Sequence, residues 1–139
     1  MAAVGAYLRD ATRSEDVACR YGGEEFLLVL PGADAESAVA RAEQIREGIK
    51  ALSVRLEDCT LPGVTMSMGV SQLQPSDPNV DSAIAAADKA LYVAKSGGRD
   101  RVRLSDEVED LPPGVSGTTG YEEPVPEEEE PAHRASDAA

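Results

Sequence analysis

Two glycines followed by two glutamates form the segment of this sequence with the clearest potential for chemistry. Gly22 and Gly23 have no side chains, so the atoms of a ligand can approach the backbone closely there. Glu24 and Glu25 add adjacent carboxylates, whose hard oxygen atoms suit Mg²⁺. Phosphoryl-group chemistry requires a metal that neutralises phosphate charge and a carboxylate that holds it or accepts a proton. The alternative is an exposed hairpin turn with solvated glutamates, and the four residues alone favour that alternative.

Two cations lie near the predicted end of the last helix. Lys95 and Arg99 are four residues apart, a spacing that lets both side chains point the same way on a helix. An ammonium group and a guanidinium fork both suit phosphate oxygens. The alternative is that the two cations only stabilise the negative end of the helix.

The apolar pattern predicts the elements that position these residues. In chain order they are a helix over 3–11, strands over 16–20 and 26–30, a helix over 35–52, a strand over 64–70, a helix from 81 that ends at 97–98, and a strand over 101–104. The run 26–30 is continuously apolar, as in a strand buried on both faces, whereas 64–70 alternates. Asp34 and Asp81 are the predicted helix caps. This order predicts an α+β or α/β fold in which helices cover a mixed sheet.

Charge divides the chain into two parts. The net charge is −13, and 11 of the 26 acidic residues follow Leu104, against one of the 13 basic residues. We therefore predict an ordered unit over 1–104 and an acidic, disordered tail over 105–139. The acidic balance gives no support for nucleic-acid binding. No apolar run is long enough to span a membrane, and no signal peptide is visible, so a cytoplasmic location is expected unless a longer parent protein carries an anchor. Cys19 is predicted to be a small core residue.

Several motifs together resemble one protein family. The segment 20–26, Arg-Tyr-Gly-Gly-Glu-Glu-Phe, resembles the GGEEF form of the signature of GGDEF diguanylate cyclase domains. The strand 64–70 and the segment 87–100 resemble later parts of that family in the same order, so the likeness covers about 2–104. It implies an α+β sandwich of the nucleotidyl-cyclase or ferredoxin-like type, a mixed sheet flanked by helices, truncated at its N-terminus.

The resemblance also implies an activity. GGDEF domains are nucleotidyltransferases that condense two GTP molecules into cyclic di-GMP across a homodimer, with two Mg²⁺ ions in each active site. Glu24 would be the catalytic residue, as metal ligand and candidate base, and Glu25 would lie against the metal and the nucleotide. The GTP-binding residues would be Gly22, Gly23, Glu25, Lys95 and Arg99.

Arg13 and Asp16 form an RxxD motif just before the signature. In the family that the chain resembles, such a motif is the inhibitory site that binds the product, cyclic di-GMP. An arginine suits this role because it can bridge a phosphate and stack on guanine. The family often supplies a second arginine from the next helix, where this sequence has Gln44 with Arg46 nearby. The alternative is an exposed salt bridge at a helix-to-strand turn.

The family's first helix and strand have no counterpart in the sequence. They would supply an aspartate metal ligand and an FKxxND-like segment that reads guanine, so we expect this chain to cyclise GTP poorly on its own. Three functions follow as hypotheses: a cyclase that is complete in its full-length parent, a non-catalytic cyclic di-GMP receptor that uses Arg13 and Asp16, and an inert remnant with an acidic interaction tail. The chain is compatible with a fragment, a misplaced start or a natural remnant.

Overall fold

A computed structural model describes residues 2–56, 59–61, 63–77 and 79–108. These residues adopt the predicted α+β fold, with three α-helices, six short strands and a closing 3-10 helix, Ser105–Glu107. The elements in chain order are α1 (Ala2–Ala11), β1 (Val17–Arg20), β2 (Phe26–Val29), α2 (Ala35–Lys50), β3 (Val54–Leu56), β4 (Cys59–Leu61), β5 (Met68–Val70), α3 (Val80–Ser96) and β6 (Val102–Leu104).

The strands of the described ranges pair in three two-stranded sheets. β1 and β2 are antiparallel, with Val17 opposite Val29, and β3 and β4 form a second antiparallel hairpin. β5 and β6 are parallel, with Met68 opposite Val102. A parallel pair needs a crossover connection, which α3 supplies. Both kinds of pairing therefore occur, as predicted, but the described strands are not joined into one sheet.

The core lies where α1, α2 and the parallel β5–β6 pair meet. Leu8 and Ile49 are the largest fully buried side chains, and they come from the apolar faces that the helical spacing predicts. α3 packs against β5 and β6 and buries the small residues Ala90 and Ala94. Among the residues whose burial is described, the other buried apolar ones are Val4, Ala42, Ile45, Met68 and Val102.

The N-terminal caps of α2 and α3 show one prediction confirmed and one wrong. Asp34 caps α2 as predicted, because its carboxylate accepts a hydrogen bond of 2.8 Å from the Ser37 N–H. α3 begins one residue before Asp81, and its cap is Asn79, whose side-chain oxygen accepts from the Ser82 N–H at 3.0 Å. Both residue types cap helices well, so the composition of this segment did not locate the first turn.

Three strand predictions differ from the structure. Only Met68–Val70 of the predicted strand 64–70 forms β5, since β6 offers three partner residues, and Val64 lies exposed outside the pairing. β2 is half-buried instead of buried on both faces, and its Val29 is exposed with the cross-strand partner Val17. The β3–β4 hairpin was not predicted at all.

The predicted boundary between domain and tail after Leu104 stays a prediction. The first residues beyond it, Ser105–Glu107, form the 3-10 helix and contact α3. The predicted acidic tail from residue 109 onward lies outside the described residues.

Candidate functional site

The loop between β1 and β2 is closed by its own backbone and by one arginine. The Glu25 carbonyl accepts hydrogen bonds from the Tyr21 N–H at 2.8 Å and the Gly22 N–H at 3.2 Å. The Arg20 guanidinium donates to the carbonyls of Gly22 and Gly23, at 3.2 Å to the first and 2.5 Å to the second. The loop is thereby held in a defined shape, and the exposed Glu24 follows the arginine-bound carbonyls.

Neither glycine of this loop has a backbone conformation that requires glycine. Among the described glycines, Gly32 and Gly98 have a positive φ, and Gly22 and Gly23 do not. Space is the physical feature at Gly23 instead, because a Cβ atom added there would meet no atom within 4 Å. The backbone at Gly23 therefore faces an opening to solvent.

The end of α3 brings Lys95 to the same loop. The Lys95 Nζ atom lies 3.5 Å from the Glu25 Oε1 atom, and both side chains are partly buried. The two residues are 70 positions apart in the sequence, so the fold alone brings them together. This contact places one of the two predicted phosphate-binding cations beside the predicted metal-binding turn.

Arg99 is held differently from the prediction. Because α3 ends at Ser96, Arg99 is not one helical turn after Lys95 but lies in the following loop, with a φ of 61°. Its N–H donates to the Ala94 carbonyl at 3.0 Å, and its own carbonyl accepts from the Arg101 Nε atom at 3.0 Å. Within the described ranges, no ion pair of its guanidinium is found. Arg99 therefore does not share a helical face with Lys95, and the prediction from helical spacing was wrong for this residue.

An ion-pair network joins the loop after α3 to α2. The Asp100 carboxylate contacts the Arg46 Nη1 atom at 2.5 Å and the Lys50 Nζ atom at 2.7 Å. The Lys50 and Arg46 hydrogen bonds hold the pKa of Asp100 below its ordinary value. Arg46 also contacts Glu43 at 2.8 Å and Glu47. Arg46, a charged residue expected in solvent, is thus mostly buried, with 13% of its side chain exposed.

The residues of the predicted inhibitory motif lie beside the N-terminal half of α2, at a second candidate site. The Asp16 carboxylate, with 5% of the side chain exposed, accepts from the Arg13 N–H at 2.7 Å and lies 3.6 Å from the Arg41 Nη2 atom. Arg41 also donates to the Ala11 carbonyl at 2.6 Å. A cavity of about 180 Å³ is lined by Arg13, Asp16 and Arg41, together with the Pro31-Gly32 turn.

Arg41 is the functional candidate that sequence reasoning missed. The sequence pointed to Gln44, which is exposed, and to Arg46, which is engaged with Asp100. Arg46 lies five residues beyond Arg41 and hence roughly 140° around the helix, on another face. The available signal was the helical position of Arg41, on the side of α2 that faces the end of α1.

A larger cavity of about 400 Å³ lies between α1 and the β1–β2 hairpin. Leu8, Phe26 and Cys19 are among its lining residues, with Arg20 at the hairpin end. Cys19 is therefore exposed, and the prediction that it belongs to the core was wrong.

The acidic loop fits a metal ion that arrives with a nucleotide. In the described part of the chain, no group of three or more His, Cys, Asp or Glu side chains is arranged to hold a metal. Mg²⁺ commonly keeps several waters and binds one or two carboxylates together with substrate phosphates. Glu24 offers an exposed carboxylate for this purpose, while Glu25 is engaged by Lys95.

The α+β fold thus sets an acidic Gly-Gly loop against a cation from the end of α3. Residues 1–101 match the family model described as the GGDEF domain of diguanylate cyclases. The chain belongs to the GGDEF diguanylate cyclase family.

Curated relatives and solved structures agree with this assignment. The chain is 40% identical over 102 residues to diguanylate cyclase A of Treponema denticola, covering 73% of this chain and 27% of that protein. It is 35% identical over 102 residues to diguanylate cyclase DgcM of Escherichia coli, covering 73% and 24%. The chain thus spans about a quarter of the length of these bacterial relatives.

Two solved domains have the same fold. The GGDEF domain of DgcB from Caulobacter crescentus, in complex with c-di-GMP, superposes with a TM-score of 0.70 at 29% identity, covering 75% of this chain and 61% of that one. The active GGEEF domain of a diguanylate cyclase from Vibrio cholerae gives 0.67 at 28% identity, covering 75% and 65%. In the described part of this chain, no helix has the length and apolar character to cross a bilayer.

Proposed function

We propose that this chain carries the phosphate-binding face of a diguanylate cyclase active site, which in the complete protein condenses two GTP molecules into cyclic di-GMP. The observation that carries the proposal is the contact between Lys95 and Glu25. It sets a cation from the end of α3 against the acidic loop of the hairpin, 3.5 Å apart. A polyphosphate needs such a cation for its oxygens and a carboxylate for its metal.

The roles of the individual residues follow from their positions. A phosphate group would reach the backbone through the opening at Gly23, and Lys95 would bind its oxygens; the open space at Gly23 and the contact of Lys95 with the same loop support these roles. Glu24 is exposed beside that opening and would hold Mg²⁺, which supplies positive charge against the phosphates. In the reaction, the 3′-oxygen of one GTP forms a bond to the α-phosphorus of the other, the bond to the pyrophosphate group breaks, and Glu24 is the candidate that accepts the hydroxyl proton. Each GTP would be presented by one subunit of a homodimer.

The 139-residue chain alone is expected to bind GTP but to turn it over poorly. The loop offers two adjacent carboxylates, and one of these is engaged by Lys95. Because the charge of the transition state must be met by preorganised groups, an incomplete set of metal ligands raises the barrier. Robust formation of cyclic di-GMP by the purified chain with GTP and Mg²⁺ would overturn this part of the proposal.

The phosphate-binding site itself is tested by a matched pair of lysine substitutions. Lys89 lies exposed on the same helix and serves as the control for a lost positive charge. GTP binding to the wild-type chain, Lys95→Ala and Lys89→Ala is measured by calorimetry in the presence of Mg²⁺. We expect Lys95→Ala to lose about tenfold or more in affinity, the usual size of a charge-assisted contact, and Lys89→Ala to bind normally. Equal affinities for all three proteins would contradict the proposed site.

A second candidate function, binding of cyclic di-GMP without catalysis, is favoured by the cavity at the RxxD motif. The buried Asp16 carboxylate and the Arg41 guanidinium face this cavity together with Arg13. Two cations suit the phosphates of a cyclic dinucleotide, and a carboxylate can accept hydrogen bonds from a guanine edge. Titration of cyclic di-GMP into the wild-type chain, Arg13→Ala and Arg41→Ala tests this function, with the exposed Arg9→Ala as control.

The two titrations together separate the hypotheses. Binding of cyclic di-GMP that is lost in Arg13→Ala and Arg41→Ala supports the receptor function. Binding of GTP that is lost in Lys95→Ala supports the cyclase face. If neither ligand binds the wild-type chain, the inert remnant with an interaction tail becomes the preferred hypothesis.

A further inference from the structure

The loop after α3 has an unusual backbone. Gly98, Arg99 and Asp100 follow one another with φ angles of 115°, 61° and 45°. Glycine adopts such angles without cost, but residues with a Cβ atom rarely do. Two successive residues of this kind persist only where surrounding contacts hold them, and such positions cluster at functional sites.

Asp100 supplies three of the contacts that hold this loop. Its two carboxylate oxygens bind different residues of α2, Arg46 at 2.5 Å and Lys50 at 2.7 Å. Its N–H donates to the Ser67 hydroxyl at 3.1 Å, just before β5. The residue therefore ties the loop both to α2 and to the segment that leads into the core sheet, whereas the neighbouring Arg99 guanidinium has no ion pair within the described ranges.

We propose that Asp100 is a positioning residue, which fixes the loop after α3 so that the Arg99 guanidinium is presented, with Lys95, to the phosphates of a nucleoside triphosphate. This inference rests on the proposed function, because it assigns the anchor of a cation that the same site would use. Asp100 itself does not touch the nucleotide. It acts through Arg99, whose backbone is fixed by Asp100 on one side and by the bond to the Ala94 carbonyl on the other.

Electrostatics and positioning predict opposite signs for the removal of Asp100. An aspartate close to an anion-binding site repels the anion, so its neutralisation should tighten GTP binding if charge alone matters. If Asp100 positions Arg99, its loss should weaken GTP binding despite the removal of a negative charge. The sign of the change therefore distinguishes the two effects.

The experiment measures GTP affinity for Asp100→Ala, Arg99→Ala and the double variant in the 139-residue chain with Mg²⁺. We expect Asp100→Ala to bind GTP about tenfold more weakly, the loss typical of one charge-assisted contact. In the Arg99→Ala background, the same substitution should change the affinity by less than about twofold, because the residue through which Asp100 acts is gone. A merely structural role would instead lower the affinity in both backgrounds.

Two further variants keep the test decisive if Asp100→Ala fails to fold. Asp100→Asn keeps the size and tolerates positive φ, so it should fold and lose affinity by a smaller factor, about threefold, since one amide oxygen still accepts a hydrogen bond. Lys50→Met removes one partner of Asp100 at a half-exposed position. It should also bind more weakly, and Lys89→Met controls for the lost positive charge.

The outcomes separate this inference from the proposed function. If Asp100→Ala and Asp100→Asn bind GTP as tightly as the wild type or more tightly, while Lys95→Ala loses binding, the positioning role of Asp100 is refuted and the site stands. If Asp100→Ala loses affinity equally with and without Arg99, Asp100 does not act through Arg99. If the wild-type chain does not bind GTP, the proposed function fails and the inference fails with it.

Discussion

The substitution of alanine for glycine at two positions gives the sharpest test of this structure. Gly69 lies in β5, where a Cβ atom would overlap the Ala87 carbonyl oxygen and the Leu91 amide nitrogen of α3. Gly23 lies in the acidic loop, where a Cβ atom would meet nothing within 4 Å. Neither glycine has a positive φ, so an alanine faces no backbone strain at either position. The same substitution should therefore have opposite consequences at the two sites.

The expected magnitude for Gly69→Ala follows from these contacts. Both overlapping atoms belong to the backbone of α3 and cannot move aside by a change of rotamer, so β5 and α3 must separate. Overpacking of this kind costs about 3 kcal/mol. Alanine also restricts the unfolded chain, which offsets up to about 1 kcal/mol of this cost. The free energy of unfolding should therefore fall by about 2 kcal/mol. For a domain of this size, that loss lowers Tm by roughly 8–16 °C.

Gly23→Ala is the matched control, which should leave stability unchanged but weaken GTP binding. With no neighbour to displace, it should change the free energy of unfolding by less than about 0.5 kcal/mol. It should nevertheless weaken GTP binding, because its Cβ fills the opening through which a phosphate would reach the backbone. Gly69 lies in the core strand away from that opening, so Gly69→Ala should still bind GTP at a temperature at which it is folded.

Thermal unfolding followed by circular dichroism, with calorimetric titration of GTP at 10 °C, measures both properties. A Tm for Gly69→Ala within about 2 °C of the wild type would refute the close packing of β5 on α3. Unchanged GTP affinity in Gly23→Ala would show that the backbone at this glycine is not approached by the ligand. The two results are independent, so either can fail without the other.

Three further predictions concern stability. Gly48→Ala in α2 should not give the stabilisation of about 1 kcal/mol that is usual in a helix interior, because its Cβ atom would overlap the ring of Tyr7. The stabilisation should appear in a Tyr7→Ala background, and urea unfolding measures both effects. Asn79→Ala should cost about 1 kcal/mol and Asp81→Ala clearly less, since Asn79 is the cap of α3; equal losses would contradict this assignment. Asp100 is held below its ordinary pKa of 3.8 by its cationic partners on α2, so its contribution to stability is present above that pH and lost as the pH falls through the folded value. Below about pH 4, Tm should therefore fall more steeply for the wild type than for Asp100→Asn.

Local patterns in the sequence predicted the elements well where a repeating apolar face had a partner nearby in the chain. α1 and α2 were recovered because Leu8, Ile45 and Ile49 recur at helical spacing and meet in one core. The β1–β2 hairpin was recovered because two apolar runs flank a glycine turn. The predicted strand 64–70 was too long, because alternating apolar and polar residues form a strand only where a partner strand exists. β6 pairs with three residues of this run.

The burial of charged residues could not be read from the sequence in the same way. Arg46 and Lys50 border the apolar face of α2, and their charge alone assigns them to solvent. Arg46 is instead mostly covered, because Asp100, 54 residues later, returns to it through the loop after α3. Contacts of this kind depend on where distant segments meet, and no local periodicity encodes them.

The candidate sites likewise combine residues that local patterns predict with residues that only the fold brings together. The acidic loop was identified by its residue types, and Lys95 by its place at the end of a helix, yet only the fold shows that Lys95 and Glu25 approach each other. At the second site, spacing along the sequence selected Gln44, although helix geometry turns Arg41 toward Asp16. Motif spacing locates a helix relative to a site, but the residue that reaches the site is fixed by the rotation of that helix about its axis. A shift of three residues keeps nearly the same face, so Arg41 can replace an arginine at the position of Gln44, whereas Arg46 cannot. The affinity of Arg41→Ala for cyclic di-GMP is therefore the measurement that decides whether this rotation supplies the missing cation.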